Sequence, residues 1–367
     1  MKQAFNTLKS NLKLFRLYKN VFSLEKVFTG VVNLITKDPV SFPLTINLLV
    51  TDKCNYFCKM CFNWQRNGIN HHTQEEVGIE TIKAFISQVR DQRPIFHIGG
   101  GEPFMRKDLL DIISAIKKNG LKCLITTNGF LMSRDAISTL VELEVDVLIV
   151  SLYGTEDIHD RIVGVEGAFK RTIGNLKYVL ENRSRHTKVL ISSIVLPGNV
   201  SFFTHFLDDM QSLGVDGIKI EQLNFLTPKE YNELSNKNKK GDFDLCPSVF
   251  VNGETFAQKF VSDIARLNED ICRSRKNVYL KPYLNQAQLR DWYCGLPRRN
   301  HKCGFITHSV FINYNGDILP CQFFEGCVLG NIKRESLKDV WLSERYKKLR
   351  QTINASRSGI CMRCCKN

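Results

Sequence analysis

From residue 44 onward, short apolar runs alternate with segments whose apolar residues recur at three- and four-residue steps. The short runs are typical of buried strands, and the longer period is typical of amphipathic helices. The pattern predicts strands near 44–50, 95–98, 121–127, 146–152, 188–196 and 217–223. It predicts helices between them at 74–90, 106–118, 133–143, 167–182 and 201–213. This alternation of six strands with five helices indicates an α/β fold with a parallel sheet.

The first 37 residues combine basic charge with an apolar stripe. They carry seven lysine and arginine residues against one acidic residue, Glu25. Their large apolar residues follow one helical face, namely Phe5, Leu8, Leu12, Phe15, Tyr18 and Phe22. Such a helix can lie in a membrane interface, or it can pack on the following domain. We favour packing, because most apolar stripes belong to a core.

Residues 224–293 interrupt the alternation of strands and helices. One more amphipathic helix is indicated there by Phe256, Phe260, Ile264, Leu267 and Ile271. We therefore predict an N-terminal extension at 1–43, a strand–helix core at 44–225, a bridging segment at 226–300 and a small C-terminal domain at 301–367. We expect the bridging segment to contribute to a substrate pocket.

Composition narrows the class of protein. The chain has 367 residues, more than one hydrophobic core usually holds. Ten of its thirteen cysteines cluster at 54–61 and 294–365. Disulfide scaffolds are short and cysteine-dense, so this spacing favours metal binding in a reducing compartment.

The net charge and the apolar runs bear on partners and location. A formal net charge of +14 favours an acidic partner, such as an anionic membrane or a phosphorylated substrate, although a solvated basic surface explains it equally. No apolar run reaches the roughly 18 residues of a membrane span. We expect a cytoplasmic protein, with residues 1–37 as the segment that would attach it to a membrane surface. Nucleic acid is not expected as a partner.

Three cysteines, Cys54, Cys58 and Cys61, follow the first predicted strand with the spacing C-x3-C-x2-C. A [4Fe–4S] cluster needs four ligands, so three thiolates on one loop leave one iron open to a small molecule. Zinc sites usually close with four protein ligands in C-x2-C or C-x2-H pairs. The three-residue first gap fits zinc poorly, and buried structural thiols are the other alternative.

This triplet resembles the C-x3-C-x-Φ-C motif of the radical S-adenosylmethionine (SAM) superfamily, with Met60 at the Φ position. The resemblance implies that SAM chelates the open iron and that one electron splits it to methionine and a 5′-deoxyadenosyl radical. It implies a one-electron donor such as flavodoxin or ferredoxin. It also implies a partial (β/α)6 TIM-type barrel, whose chemistry lies at the carboxyl ends of the strands.

Further motifs follow the predicted strands and match family positions. Residues 99–103, Gly-Gly-Gly-Glu-Pro, resemble the GGEP motif, and glycine lets the backbone approach a ligand closely. Thr127, Asn128 and Ser151 end the next two strands, where the family places contacts to the ribose or methionine of SAM. The resemblance therefore implies cofactor contacts at Met60, Gly100, Gly101, Glu102, Pro103, Thr127, Asn128 and Ser151.

Three other polar residues have more than one interpretation. Residues 159–164 resemble the family segment H-D-x-x-R-G, but Val163 stands where arginine is expected, and Arg161 is the candidate carboxylate clamp. Glu221, at the end of the sixth strand, is either a family-like contact or a surface carboxylate. His97 within a strand is more typical of a core histidine than of a catalyst. No catalytic acid or base is identified.

A second cysteine group lies at the C-terminus. Cys303, Gly316 and Cys321 are spaced C-x12-G-x4-C around a predicted β-hairpin with an Asn-Gly turn, and Cys361 and Cys364 form a C-x2-C pair. This pattern resembles the SPASM/twitch extension of radical SAM enzymes, a small β-hairpin/helix iron–sulfur domain. A full SPASM domain needs a C-x2-C-x5-C-x3-C run for a second cluster, and nothing between residues 327 and 361 supplies it, so the shorter twitch form fits better.

The resemblance implies one auxiliary [4Fe–4S] cluster held by Cys303, Cys321, Cys361 and Cys364. A zinc ribbon is the alternative, but it needs two C-x2-C pairs. Other cysteines able to replace a ligand are Cys294, Cys327 and Cys365. Incidental or buried thiols are expected at Cys123, Cys246 and Cys272.

Together these features predict a radical SAM oxidoreductase that abstracts hydrogen from a small molecule, in a net oxidation or a rearrangement. Radical modification of a ribosomally made peptide, by crosslinking or epimerisation, is the alternative. The 43 residues before the first strand are too short for the fused peptide-recognition domain found in some of those enzymes. A non-catalytic iron–sulfur protein would keep the cysteines but would lose the glycine and ribose positions.

Overall fold

The computed structural model describes residues 41–61, 75–238, 243, 251–253, 255–275, 277–295, 297, 303–355 and 359–366. The predicted helix at 1–37 and Cys246 lie outside these ranges. Within them, no helix combines the length and apolar character needed to cross a membrane.

Ten strands form one sheet. They are β1 (Thr45–Leu49), β2 (Ile95–Gly99), β3 (Lys122–Thr127), β4 (Val147–Ser151), β5 (Lys188–Ile194), β6 (Gly217–Glu221), β7 (Val278–Lys281), β8 (Ser309–Ile312), β9 (Asp317–Leu319) and β10 (Gly330–Asn331). Their order is β10-β9-β8-β1-β2-β3-β4-β5-β6-β7. Strands β8 and β1 to β7 pair in parallel, whereas β8, β9 and β10 pair antiparallel.

Thirteen α-helices connect the strands in the described ranges. They are α1 (Ile79–Val89), α2 (Leu109–Lys118), α3 (Arg134–Glu142), α4 (Glu156–Val163), α5 (Ala168–Asn182), α6 (Phe203–Ser212), α7 (Pro228–Asn238), α8 (Gln258–Ser274), α9 (Gln286–Cys294), α10 (Phe305–His308), α11 (Leu337–Leu342), α12 (Glu344–Ala355) and α13 (Gly359–Met362). Short 3-10 helices occupy Arg90–Gln92, Pro103–Met105 and Val200–Phe202.

The apolar pattern explains how these elements pack. Helix α2 buries Leu109, Ile112, Ile113 and Ile116, the i, i+3, i+4 and i+7 stripe that faces a sheet. The opposite face of the parallel strands holds a separate apolar cluster of Ile95, Leu124, Val147, Ile149, Leu190 and Tyr279. Because most of these residues lie at the beginning or middle of their strands, they fill the interior away from the carboxyl ends. Polar side chains therefore collect at the carboxyl ends.

The predicted α/β class and parallel barrel are confirmed, and the six predicted strands match β1 to β6 within two residues at each end. The sheet is larger than six strands. Strand β7 pairs in parallel with β6 from inside the predicted bridging segment, and β8 pairs in parallel with β1. The amide of Asn47 reinforces the second pairing by donating to the Val310 carbonyl at 3.1 Å. The predicted hairpin, β8 and β9, is thus a continuation of the barrel sheet.

Candidate active site

A cavity of about 280 Å³ opens at the carboxyl ends of the parallel strands. Its walls contain ten of the residues predicted from the sequence, namely Cys54, Cys58, Met60, Cys61, Gly100, Gly101, Glu102, Thr127, Asn128 and Ser151. Two other predicted residues do not line it. Pro103 is buried at the start of a 3-10 helix, and Arg161 is exposed on α4.

The cysteines lie on residues 50–61, called here the cluster loop, which packs backbone to backbone on the glycine motif. Gly101 N donates to the Thr51 carbonyl at 2.8 Å, and Glu102 N donates to the Lys53 carbonyl at 2.7 Å. A Cβ atom at Gly100 or Gly101 would overlap the same carbonyls. Glycine is therefore required at both positions so that the two loops can touch. This requirement is separate from the predicted approach of the backbone to a ligand.

The other side of the cluster loop rests on the end of α4. Phe57 N donates to the Val163 carbonyl at 2.8 Å. Gly164 follows with φ +71°, a conformation that favours glycine, and its Cα faces the Phe57 side chain. Val163 thus supports the cluster loop through its backbone. The predicted clamp role of Arg161 gains no support from this geometry.

The three cysteines of the cluster loop share one environment. Cys61 N donates to the Cys58 carbonyl at 2.9 Å, and Tyr56 N donates to Cys54 Sγ at 3.5 Å. Burial, together with the neighbouring Cys61 and Cys54, raises the pKa of the Cys58 thiol well above its ordinary range. A cationic metal centre is what converts such thiols to thiolates.

These thiols fit a [4Fe–4S] cluster with one open iron. All three line the same cavity, beside the glycine motif. In the part of the chain that the structure describes, no three Cys, His, Asp or Glu side chains converge on a point where one metal ion would sit. A cluster instead takes one thiolate at each of its irons.

Glu102 organises the ends of β2 and β3. Its carboxylate accepts from Thr127 Oγ1 at 2.6 Å, from Asn128 N at 2.7 Å and from Phe104 N at 3.1 Å. Only 1% of the residue is exposed, and this burial raises its pKa from 4.5 to about 7. Asn128 in turn donates to Asn55 Oδ1 at 2.8 Å, which links the strand end to the cluster loop.

The structure shows the surroundings of Glu221 and His97, two polar residues for which the sequence left more than one interpretation. Glu221 lines the cavity and pairs with Lys219 at 3.3 Å, so it is not an isolated surface carboxylate. His97 shares a 2.8 Å hydrogen bond with the Thr126 hydroxyl, and burial lowers its pKa to about 3. His97 is therefore partly buried and has a hydrogen-bond partner, and it is not among the residues that line the cavity.

Several residues of the cavity walls were not predicted from the sequence. They are Tyr56, Tyr153, Ile194, Leu223, Asn224, Gln322 and Phe323. The ring of Tyr153 stacks on that of His159, with centroids 5.8 Å apart. Tyr153 stands two residues after a predicted contact, so its position was available from the strand pattern. Gln322 and Phe323 follow Cys321 directly, which brings the second cysteine group to the same cavity.

The auxiliary cysteines are gathered around Cys321. Burial raises the pKa of the Cys321 thiol well above its ordinary range, and Cys361, Cys303 and Cys364 add to the shift. Cys303 N also donates to Asn354 Oδ1 on α12 at 2.9 Å. Cys303, Cys361 and Cys364 are therefore within electrostatic range of Cys321.

A buried arginine fixes the C-terminal cysteine pair. Arg363 Nη1 donates to both carboxylate oxygens of Glu230 at 2.8 and 2.9 Å. Its other nitrogens donate to the carbonyls of Trp292 and Gly295, each at 2.6 Å. Nearby, Cys365 Sγ donates to the Gln222 carbonyl at 3.0 Å. The bridging segment thus holds the C-terminal cysteines against the residues that follow β6.

Comparisons with known proteins agree with this arrangement. Residues 48–200 match the family model of the radical SAM superfamily, and residues 303–365 match the SPASM model, an iron–sulfur cluster-binding domain. The chain is 24% identical over 328 residues to the tungsten-containing aldehyde ferredoxin oxidoreductase cofactor-modifying protein of Pyrococcus furiosus, covering 82% of this chain and 81% of the relative. It is 24% identical over 323 residues to the AdoMet-dependent heme synthase of Methanosarcina barkeri, covering 87% and 88%.

The fold is also similar to a solved structure. Streptococcus suis SuiB bound to its precursor peptide SuiA superposes with a TM-score of 0.64 at 18% identity, covering 93% of this chain and 75% of SuiB. The cluster loop, the glycine motif and the C-terminal cysteines lie within the matched segments. The chain is a member of the radical SAM superfamily and carries a SPASM-type iron–sulfur domain at its C-terminal end.

Proposed function

We propose that this radical SAM enzyme abstracts a hydrogen atom from a small substrate and completes a net two-electron oxidation. One observation carries the proposal. The cavity that contains the cluster-loop cysteines is also lined by Gln322 and Phe323, directly after Cys321. When bound, SAM and its cluster supply the 5′-deoxyadenosyl radical, and the auxiliary cluster supplies an acceptor for the second electron.

The residues divide into holding and orienting roles. Cys54, Cys58 and Cys61 hold the SAM-chelated cluster. Because Gly100 and Gly101 have no side chains, the methionine part of SAM would lie close to their backbone. Orienting contacts come from Met60, Glu102, Thr127, Asn128 and Ser151, and buried Pro103 fixes the turn beneath them.

The auxiliary cluster is held by Cys303, Cys321, Cys361 and Cys364. Four protein thiolates leave no open iron, so this cluster serves electron transfer and not substrate ligation. A cluster adjacent to the cavity suits an oxidation, because hydrogen abstraction leaves a substrate radical that must still lose one electron and one proton.

The proton needs an acceptor in the cavity wall. Among the cavity-lining residues of the described ranges, Glu102 and Glu221 are the carboxylates. Three hydrogen-bond donors already occupy Glu102. Glu221 is therefore the carboxylate that we assign as proton acceptor.

SAM and its cluster would fill much of the cavity of about 280 Å³, which leaves a small space for the substrate. A small molecule, or one side chain of a peptide, is the substrate that such a space would admit; a precursor peptide is the ligand named for SuiB. A one-electron donor such as flavodoxin or ferredoxin completes the proposal, and residues 1–37 are the segment that would contact an anionic membrane if they do not pack on the core.

The test uses anaerobically reconstituted protein with dithionite and SAM. We expect 5′-deoxyadenosine and methionine from the intact chain. Cys272→Ala, which alters an exposed cysteine on α8, should behave as the intact chain does. Incubation with candidate substrates should give a product two hydrogens lighter, with one SAM consumed per product. An unchanged product mass, or regenerated SAM, would replace the oxidation with an epimerisation or another rearrangement.

A further inference from the structure

Tyr346, on α12, buries its hydroxyl group without a hydrogen-bond partner. The residue is fully buried, and its oxygen contacts no donor or acceptor among the residues that the structure describes. Most buried hydroxyl groups are paired, since an unpaired one loses its bonds to water and gains nothing in return. The orphaned hydroxyl indicates a partner that protein atoms do not provide.

Helix α12 lies against the segment that begins at Cys303. Tyr346, Arg350 and Asn354 follow one another at four-residue steps and so share one helical face. Asn354 Oδ1 accepts from Cys303 N at 2.9 Å, and Arg350 Nε donates to the Ile306 carbonyl at 3.1 Å. The face that carries Tyr346 is therefore the face that contacts the auxiliary cysteine segment.

The ring of Tyr346 is held firmly on this face. Its centroid lies 5.1 Å from that of Trp341 in an edge-to-face arrangement, and the Arg350 guanidinium lies 3.9 Å from it on the ring face. Besides burial, which is the largest cause, the sulfurs of Cys321, Cys303 and Cys327 raise the pKa of the hydroxyl. These cysteines are therefore within electrostatic range of the hydroxyl.

We propose that the Tyr346 hydroxyl donates a hydrogen bond to a sulfur atom of the auxiliary iron–sulfur cluster and thereby raises its reduction potential. The inference rests on the proposed auxiliary cluster. A cluster with four thiolates is anionic, and a donor to its sulfurs stabilises the added electron. A higher potential makes the cluster a better acceptor for the electron that leaves the substrate radical. Tyr346 is a positioning residue, since it acts through the cluster.

The molecule offers a matched control in Tyr279. This tyrosine is also buried, with 1% of its surface exposed, but it lies in the apolar cluster inside the barrel with Ile95 and Leu124. Tyr346→Phe and Tyr279→Phe each remove one buried oxygen. Only Tyr346→Phe removes a hydrogen-bond donor from the auxiliary cluster.

The experiment uses the full chain with the three cluster-loop cysteines replaced by alanine, so that only the auxiliary cluster contributes. We expect about four irons per chain in this background and in both phenylalanine variants. A redox titration followed by electron paramagnetic resonance should give a more negative potential for Tyr346→Phe and an unchanged one for Tyr279→Phe. Equal potentials with full iron content would overturn the hydrogen bond. No iron in the background protein would instead overturn the auxiliary cluster of the proposed function.

Two further measurements separate this role from a structural one. Tyr346→Phe should leave the thermal midpoint of the iron-free chain unchanged or higher, and should lower it in the loaded chain, because the hydroxyl gains its partner only from the cluster. If Tyr346→Phe loses its iron, the reduced background protein made with ring-deuterated tyrosine decides the matter. A deuterium coupling from a tyrosine ring to the cluster supports the proposal, and its absence overturns it.

Discussion

Replacing Arg363 with methionine tests how the C-terminal cysteine pair is held. The guanidinium is 1% exposed and makes four hydrogen bonds, two of them to Glu230. Methionine fills much of the same volume and makes none of these bonds. Removing one partner of a buried ion pair costs about 3–5 kcal/mol, because the other charge stays behind. The Glu230 side chain is only 12% exposed, so water compensates little of this loss.

The free energy of unfolding of the iron-free chain, from urea titration, measures this cost. Arg273→Met is the control, since Arg273 pairs with Glu269 at 3.4 Å with both side chains more than half exposed. An exposed pair is worth about 0–1 kcal/mol. The double variant, Arg363→Met with Glu230→Gln, should lose less unfolding free energy than the two single variants lose together. The reason is that it leaves no buried charge unpaired.

The same variant should affect the metal content. Arg363 lies between Cys361 and Cys364, so its loss should release the auxiliary cluster and lower the iron content from about eight to about four per chain. SAM cleavage should continue, because the cluster loop is not altered. A loss of stability no larger than that of Arg273→Met, with full iron content, would refute the reasoning.

Three further predictions concern the first cluster and its surroundings. Replacing the three cluster-loop cysteines with alanine should leave about four of about eight irons and abolish 5′-deoxyadenosine formation; zinc without iron in anaerobically purified protein would contradict both clusters. Gly101→Ala should remove the first cluster because its Cβ would overlap the Lys53 carbonyl, whereas Gly78→Ala, with open space at its Cβ, should keep iron and activity. Burial raises the pKa of Glu102 from 4.5 to about 7, so its contribution to the stability of the iron-free chain is present below pH 4.5 and is lost as pH rises to about 7. In Glu102→Gln, the unfolding free energy of the iron-free chain should not decline over this pH range. If the variant and the unaltered chain show the same dependence on pH, Glu102 does not titrate there.

Local periodicity accounts for the parts of the fold that could be predicted. Strands β1 to β6 each combine an apolar run with a following helix, so nearest neighbours in sequence are also neighbours in the sheet. The pairing of β8 with β1 joins residues more than 250 positions apart, and periodicity carries no information about such a contact. Strand β7 has only four residues, too few to stand out within a segment of mixed pattern.

The candidate site also has a part that the sequence predicts and a part that it does not. Motif spacing located the cysteines and the glycine motif, because backbone geometry and metal ligation both restrict residue type there. It could not reveal that Arg363 is buried, since an arginine between two cysteines is indistinguishable in sequence from an exposed one. The partner of that arginine, Glu230, is 133 positions away. Tyr346 likewise has no motif, and its interest comes from an unpaired oxygen that only the packing reveals.

The pairing of β8 with β1 has a consequence for long-range electron movement. Strand β1 leads into the cluster loop, and β9, the hairpin partner of β8, ends two residues before Cys321. Neighbouring strands are held about 4.8 Å apart by their backbone hydrogen bonds, so no hinge separates the two redox sites. Tunnelling rates fall steeply with distance, and here one sheet fixes the strands from which the cluster loop and the segment of Cys321 extend. The transfer rate should therefore resist changes in viscosity, and a graft of this C-terminal domain through a flexible linker would lose that constancy.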